Sequence, residues 1–206
     1  MTNREIKVGA DPFPPYQYYE ADGSPEGSDY RQVRKLFEAM GYEISMTIQE
    51  WSEIQAMMDE GLLDAAFQVQ KTPERVTQYA FSELFRQAET QVVSANRQLC
   101  LNSFSDIPAR GLSIGLIEGY VNDEEIDDLP SVNKKFYSGT AALLLGISIG
   151  EVDVGVFDKG VKEHLMAEQS IENIYALDNL TFFRPLHVIF NDPRLRDEFD
   201  CALAGK

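Results

Sequence analysis

Short apolar runs alternate with helix-patterned segments along the whole chain, and this alternation restricts the fold more than any single motif does. Ile6-Lys7-Val8-Gly9 predicts a strand, and Asp11-Pro12-Phe13-Pro14-Pro15-Tyr16 predicts a loop, because proline removes backbone donors and locks φ. Tyr30, Val33, Leu36, Phe37 and Met40 recur at helical spacing, with Gly41 as a stop. Residues 42–48 alternate as a strand. After Trp51, Ser52-Glu53-Ile54-Gln55 has capping-box form and predicts a second helix ended by Gly61. Residues 62–67 read as a short buried strand. Thr72-Pro73-Glu74 predicts a helix start: threonine caps free N–H groups, proline sits where no donor is needed, and glutamate complements the dipole.

The second half continues the alternation. Residues 88–95 and 112–117 predict strands, and Gly119 opens a turn into a helix near Asn122. Residues 141–149 form an apolar helix, 152–157 a strand, 161–168 a helix and 186–190 a strand. Asp192-Pro193 then caps a last helix carrying Leu195, Phe199 and Leu203. Residues 96–110 read as polar and irregular. Such βα alternation implies an α/β fold of largely parallel sheets covered by helices. An internal echo points to two similar lobes. Gly61-Leu62-Leu63-Asp64-Ala65-Ala66-Phe67 and Gly150-Glu151-Val152-Asp153-Val154-Gly155-Val156 share the order helix, Gly, two residues, Asp, strand, about 90 residues apart. In open α/β lobes ligands bind at the carboxyl ends of the strands. Here those loops begin at Asp11, Trp51, Gln68, Gly119 and Asp158.

Composition narrows the classes of partner. With 18 Lys and Arg against 34 Asp and Glu the net charge is −16, which excludes a nucleic-acid footprint and disfavours an anionic membrane surface. The most apolar run, residues 141–150, is half of the roughly 20 residues a bilayer span needs. The N-terminus has no apolar core of the signal-peptide kind. No P-loop, Gly-x-Ser-x-Gly, Gly-x-Gly-x-x-Gly, His-Glu-x-x-His or Cys-x-x-Cys appears, so a binding cleft is expected rather than an enzyme, with no metal and no cofactor. Cys100 and Cys201 leave two readings open, one disulfide or two buried thiols. His164 and His187 stand alone and read as surface or packing residues.

The candidate residues each carry a bland alternative. Arg75, on the first helical turn after Thr72-Pro73, suits a carboxylate bound bidentately, or else is a surface arginine paired with Glu74 or Glu83. Asp158 can accept from an ammonium group, or else caps the helix that follows. Asp64 and Asp153 read as strand-entry structure. Among Phe13, Tyr16, Tyr18, Tyr19 and Trp51, Phe13 and Trp51 are expected at the cleft.

Five segments together resemble the family 3 extracellular solute-binding proteins, the polar amino-acid class of periplasmic binding proteins. They are residues 8–16 with their Pro-Pro-aromatic loop, Gly27-Ser28-Asp29-Tyr30, Trp51 followed by Gly61-Leu62-Leu63-Asp64, Thr72-Pro73-Glu74-Arg75 with Phe81-Ser82, and residues 152–158. The resemblance implies a type II periplasmic binding fold: two Rossmann-like lobes joined by a two-strand hinge and closing like a flytrap. Lobe 1 would take residues 1–95 plus 186–206, and lobe 2 residues 96–185. It implies carboxylate recognition by Arg75, ammonium recognition by Asp158, side-chain contacts from Phe13 and Trp51, and a contact from Asp11 to a basic group. Two departures fall at expected ligand positions. Gln68-Val69-Gln70-Lys71 stands where small hydroxyl residues are usual, and Tyr120 follows Gly119, so Gln68, Gln70 and Tyr120 join the candidate ligand-binding set. The implied function is capture of an amino acid or related carboxylate in the periplasm for an ABC permease, with a leader or upstream segment outside this sequence. The alternative is the ligand-sensing domain of a membrane receptor such as a sensor histidine kinase, and third a dehydratase-type enzyme on the same fold.

Overall fold

The computed structural model describes residues 4–205; residues 1–3, part of the N-terminal segment read above, lie outside the described residues. The chain divides into two compact units, Met1–Gln87 with Pro185–Lys206, and Ala88–Arg184. In order, the first unit holds β1 (Arg4–Ala10), β2 (Tyr18–Tyr19), β3 (Pro25–Glu26), α1 (Ser28–Ala39), β4 (Tyr42–Ile48), α2 (Trp51–Asp59), β5 (Ala65–Val69), α3 (Arg75–Gln78) and β6 (Ala80–Phe81). The chain enters the second unit within β7 (Arg86–Ser94). There follow α4 (Asp106–Ala109), β8 (Ile114–Ile117), α5 (Glu124–Asp127), a 3-10 turn at Ser131–Asn133, β9 (Lys134–Tyr137), α6 (Thr140–Ser148), β10 (Val154–Asp158) and α7 (Lys159–Gln169). The chain returns within β11 (Tyr175–Phe190) and finishes in α8 (Pro193–Ala204).

In the first unit the strand order is β4-β1-β5-β11, with β6 also paired to β11. β1 runs parallel to both β4 and β5, so their carboxyl ends share one edge. One face of the sheet packs Ile6, Val8, Ala65, Phe67, Val188 and Phe190 against Val33, Phe37, Leu195 and Phe199 of α1 and α8. Three rings close this core: Phe37, Phe190 and Phe199, with centroids 5.3–6.4 Å apart. Opposite them, Ala66, Val69 and Ile189 meet Ile54 and Met58 of α2. α1 has the predicted buried stripe, and its first N–H groups are satisfied without a side-chain cap. The carbonyls of Pro15 and Tyr16 accept from Ser28, Asp29 and Tyr30 instead. Gly27 makes that approach feasible, because at its φ of 123° a Cβ would sit 2.1 Å from the Tyr16 oxygen.

In the second unit the order is β7-β10-β8-β9, with β10 antiparallel to β7 and parallel to β8. Val92, Ile114, Leu116 and Val154 of this sheet pack with Phe104, Ile107, Ile126, Leu129, Leu177 and Leu180. Leu143, Leu144 and Ile147 of α6 are buried as well. The internal echo has a physical basis. Gly61 and Gly150 take φ values of 69° and 74° after their helices. Asp64 Oδ2 then accepts from Lys7 N at 2.8 Å, pinning the start of β1. Asp153 Oδ2 accepts from both the N and Oγ of Ser113 at 2.7 Å, pinning the approach to β8.

Several local expectations need correction. α2 starts at Trp51 after Glu50, with no side-chain cap, so Ser52 lies inside the helix and no capping box forms. β5 begins at Ala65 rather than 62, since Gly61 and Leu62 still belong to the turn that ends α2, where Leu62 N donates to Met57 O. The cap of α5 is Asp123, which accepts from Glu125 N at 3.0 Å. Residues 96–110 are less irregular than their polarity implies, since α4 buries Ile107 there. β9 and the first half of β11 carried no strand signal. β9 opens with two lysines on a strand that, among the described residues, pairs only with β8, and β11 buries Leu177 and Leu180 out of alternation and contains Pro185.

Gly27→Ala should lower stability by on the order of 3 kcal/mol in urea titrations, since a side chain there meets backbone rather than a movable group. Asp153→Ala should lower it by about 2 kcal/mol and Asp64→Ala by about 1 kcal/mol, following the number of charge-assisted bonds each loses.

Candidate functional site

The parallel run of β4, β1 and β5 places the exits of three strands at one edge of the first unit. Asp11 and Phe13 follow β1, Trp51 follows β4, Gln68 lies near the end of β5 with Gln70 just after it, and Arg75 opens α3. The loop after β1 is tightly built. Phe13 N donates to Gln17 O at 2.8 Å, Tyr16 N and Gln17 N donate to Phe13 O, and the Gln17 side chain donates to Asp11 O at 3.0 Å. Phe13 is buried and stacks on Tyr16 with centroids 5.9 Å apart.

Thr72 performs the predicted capping: its Oγ1 accepts from Arg75 N at 3.2 Å and its carbonyl from Val76 N at 3.1 Å. Arg75 is half-buried, and its guanidinium lies 4.9 Å from the centroid of the Trp51 ring. Its side chain reaches the Gln70 carbonyl only at 3.4 Å. Among the described residues no ion pair holds it, so pairing with Glu74 or Glu83 is not what the structure shows. Burial lowers its pKa below the ordinary arginine value, far from any loss of charge at neutral pH. The Trp51 Nε1 beside it is buried with no hydrogen-bond partner among the described residues. A cation and an indole N–H therefore stand together with most of their donor capacity unused. That chemistry suits a carboxylate.

Gln68 belongs to a different arrangement. Between Ala66, which pairs with Ile189, and Val69, which pairs with His187, β5 carries one extra residue, and Gln68 takes a φ of 64°. Such backbone in a non-glycine residue costs on the order of 1–3 kcal/mol and needs surrounding contacts to hold it. The bulge moves Val69 onto the face of Ala66 and turns Gln68 toward α1. There Nε2 donates to Gln17 Oε1 and to Asp29 Oδ2, each at 2.7 Å, while Oε1 accepts from Arg86 Nη2 at 3.1 Å. Arg86 Nε lies 3.0 Å from Asp29 Oδ2, and its guanidinium sits 3.8 Å from the Tyr16 ring centroid. The amide of Gln68 is thus occupied within the protein. In this structure the bulge aims it into this cluster. Sequence reasoning passed over Gln17 and Arg86 and treated Asp29 only as a helix start. Nothing local marks them, since their side-chain partners within the cluster lie between 18 and 70 residues away in the chain.

In the second unit Asp158 is buried at the end of β10, and its Oδ1 accepts from Gly160 N at 2.9 Å and Val161 N at 3.3 Å. The helix-cap alternative describes what it does in this structure. Tyr120 follows Gly119 after β8 and is half-buried. Beside Asp158 on α7, Lys159 pairs with Glu89 at 3.1 Å, and buried Lys162 donates to Gln91 at 2.7 Å. Burial lowers the pKa of Lys162. Cys100 and Cys201 are both exposed, so the buried-thiol reading does not hold. His187 is a packing residue: it is buried, its Nδ1 lies 2.9 Å from the Ser82 carbonyl, and it stands edge-on to Phe81.

Comparison with known proteins follows the same outline. The profile of bacterial extracellular solute-binding proteins, family 3, matches residues 6–205. A Haemophilus influenzae protein described as a "probable amino-acid ABC transporter-binding protein" is 23% identical over 99 residues. That match spans 48% of this chain and 38% of the relative's length. Among solved structures, an ancestral arginine-binding protein bound to arginine superposes with a TM-score of 0.84 at 18% identity, covering 100% of this chain and 93% of that one. A histidine kinase sensor domain with similarity to periplasmic binding proteins gives a TM-score of 0.88 at 19% identity, covering 98% and 90%. The architecture is therefore the mixed α/β fold of periplasmic binding proteins, and no described helix is long and apolar enough to cross a membrane. With a match that runs over nearly its whole length, this chain belongs to the bacterial extracellular solute-binding proteins, family 3.

Proposed function

We propose that this chain captures an α-amino acid or a related small carboxylate in the periplasm, by closure of its two units, and delivers it to an ABC permease. The observation that carries this reading is the state of Arg75. A half-buried guanidinium stacked on an indole, with no acid paired to it among the described residues, is arranged for an anionic group from outside. Family membership supports capture of a solute, and the arginine-bound structural neighbour supports an amino acid. In this reading Asp11, Phe13, Trp51, Gln70 and Arg75 serve the ligand from the first unit, and Tyr120 and Asp158 from the second. Asp158 would take the ammonium group. Capture is without turnover, and the two domains of function are the lobes, residues 1–95 with 186–206 and residues 96–185.

A second reading has its own support. The histidine kinase sensor domain matches this fold with the higher of the two TM-scores, so the same capture can serve a receptor whose signalling domains respond to the bound state. The site chemistry is the same in both readings. Only the partner differs.

A thermal-shift screen of amino acids and small organic acids should identify the ligand, because binding at 100 times Kd adds about 2.7 kcal/mol of stability. Calorimetry on Arg75→Ala should then show a loss of about 2–5 kcal/mol, with the melting temperature of the free protein little changed. Arg75→Lys should recover only part of it, since ammonium cannot form the bidentate fork. Unchanged affinity in Arg75→Ala would overturn the carboxylate assignment, and recovery of a chemically altered compound from the denatured complex would overturn binding without turnover. Trp51 is the single tryptophan, so ligand addition should also change its fluorescence.

A further inference from the structure

The geometry points to Asp29 and Arg86 as positioning residues of the site in the first unit, acting through Tyr16, Gln17 and Gln68. Asp29 and Gln17 are buried, and Arg86 is the first residue of β7. Three separate segments converge on them. The loop after β1 reaches them through Gln17 Oε1, which accepts from Gln68, and through the Tyr16 ring, which lies under the Arg86 guanidinium. The bulged end of β5 reaches them through both ends of the Gln68 amide. α1 supplies Asp29 itself, whose backbone N–H also donates to Tyr16 O at 2.9 Å.

Each contact constrains a segment that carries a candidate ligand residue. Gln17 holds the Asp11 carbonyl and, through two backbone bonds, Phe13. Gln68 sits two residues before Gln70, whose carbonyl meets Arg75. The left-handed backbone at Gln68 is unfavourable by itself, and the hydrogen bonds to Gln17, Asp29 and Arg86 are what hold it. Loss of charge at Asp29 or of the fork at Arg86 would leave the neighbouring amides competing for fewer partners and release the loop and the bulge together. Because Arg86 begins the strand that carries the chain into the second unit, the same cluster ties the β1 loop to the start of that crossing.

The test uses Asp29→Asn, Arg86→Lys and, as a variant that buries no unpaired charge, Gln68→Met. Hydrogen exchange on the ligand-free proteins reads the loop directly. Exchange at the amides of Phe13, Tyr16 and Gln17 should rise roughly tenfold or more, while amides in the middle of β1 and in α8 keep their wild-type protection. Equal acceleration everywhere would mark a purely structural role and overturn the proposal, as would unchanged exchange at the loop. A second arm rests on the amino-acid reading above and uses L-arginine as the probe in calorimetry. Each variant should bind roughly tenfold more weakly than wild type although Arg75 and Trp51 are intact. Wild-type affinity in all three would overturn the proposal. Failure of the wild-type protein to bind L-arginine would count against the ligand assignment alone, and the exchange arm would still decide the positioning role.

Discussion

A carboxylate inside a protein has to be neutralised and hydrogen-bonded where it stands, and in the first unit that carboxylate is Asp29. Stripping an ionised group of water costs several kcal/mol even after relaxation, and removing its partner alone costs about 3–5 kcal/mol. Arg86 and Gln68 answer this need from two other segments, and Gln17 and Tyr16 complete the cluster from a third. The interior is thereby organised around one charge. The bulge in β5, the close approach of the loop to α1 and the glycine at position 27 are all conditions for assembling it.

Two arginines of this unit stand in contrast. Arg86 has a carboxylate, an amide oxygen and an aromatic face. Arg75 has an aromatic face and one long contact to a carbonyl. A protein that pairs one half-buried cation with a carboxylate and leaves another half-buried cation with unused donors has separated a structural charge from one available for recognition. Both lie near the same sheet edge because β1, β4 and β5 are parallel, which brings their carboxyl ends together. The aspartates at the strand entries, Asp64 and Asp153, hold the opposite ends of the two sheets in register by the same device.

Much of this was legible along the chain. The stripe of Val33, Leu36 and Phe37, the cap at Asp192-Pro193, the Thr72 cap and the paired Gly-x-x-Asp turns all rest on interactions within a few residues, and the structure contains them. Arg75 and Trp51 were also readable as candidates, although their stacking was not. What stayed hidden depends on partners distant in sequence. Ser52 had the pattern of a cap, but α2 already begins at Trp51, so Ser52 lies within its first turn. Gln68 had the position of a ligand residue, but one inserted residue in β5 turned it inward. Half of β11 lacked alternation because its burial follows the surrounding helices rather than a two-residue period.

The sequence by itself determined the βα alternation, the helix boundaries set by local caps, the doubled Gly-x-x-Asp turn and the family, since each is written in contiguous residues or in their order. Only the tertiary structure decided which polar side chains face each other. Asp29 meets Arg86 and Gln68 across 57 and 39 positions of chain, and Arg75 meets Trp51 across 24. The reason is physical. A hydrogen bond or ion pair inside a protein depends on direction and distance to within a fraction of an ångström, and those are fixed by sheet register and a single bulge, which no local pattern encodes.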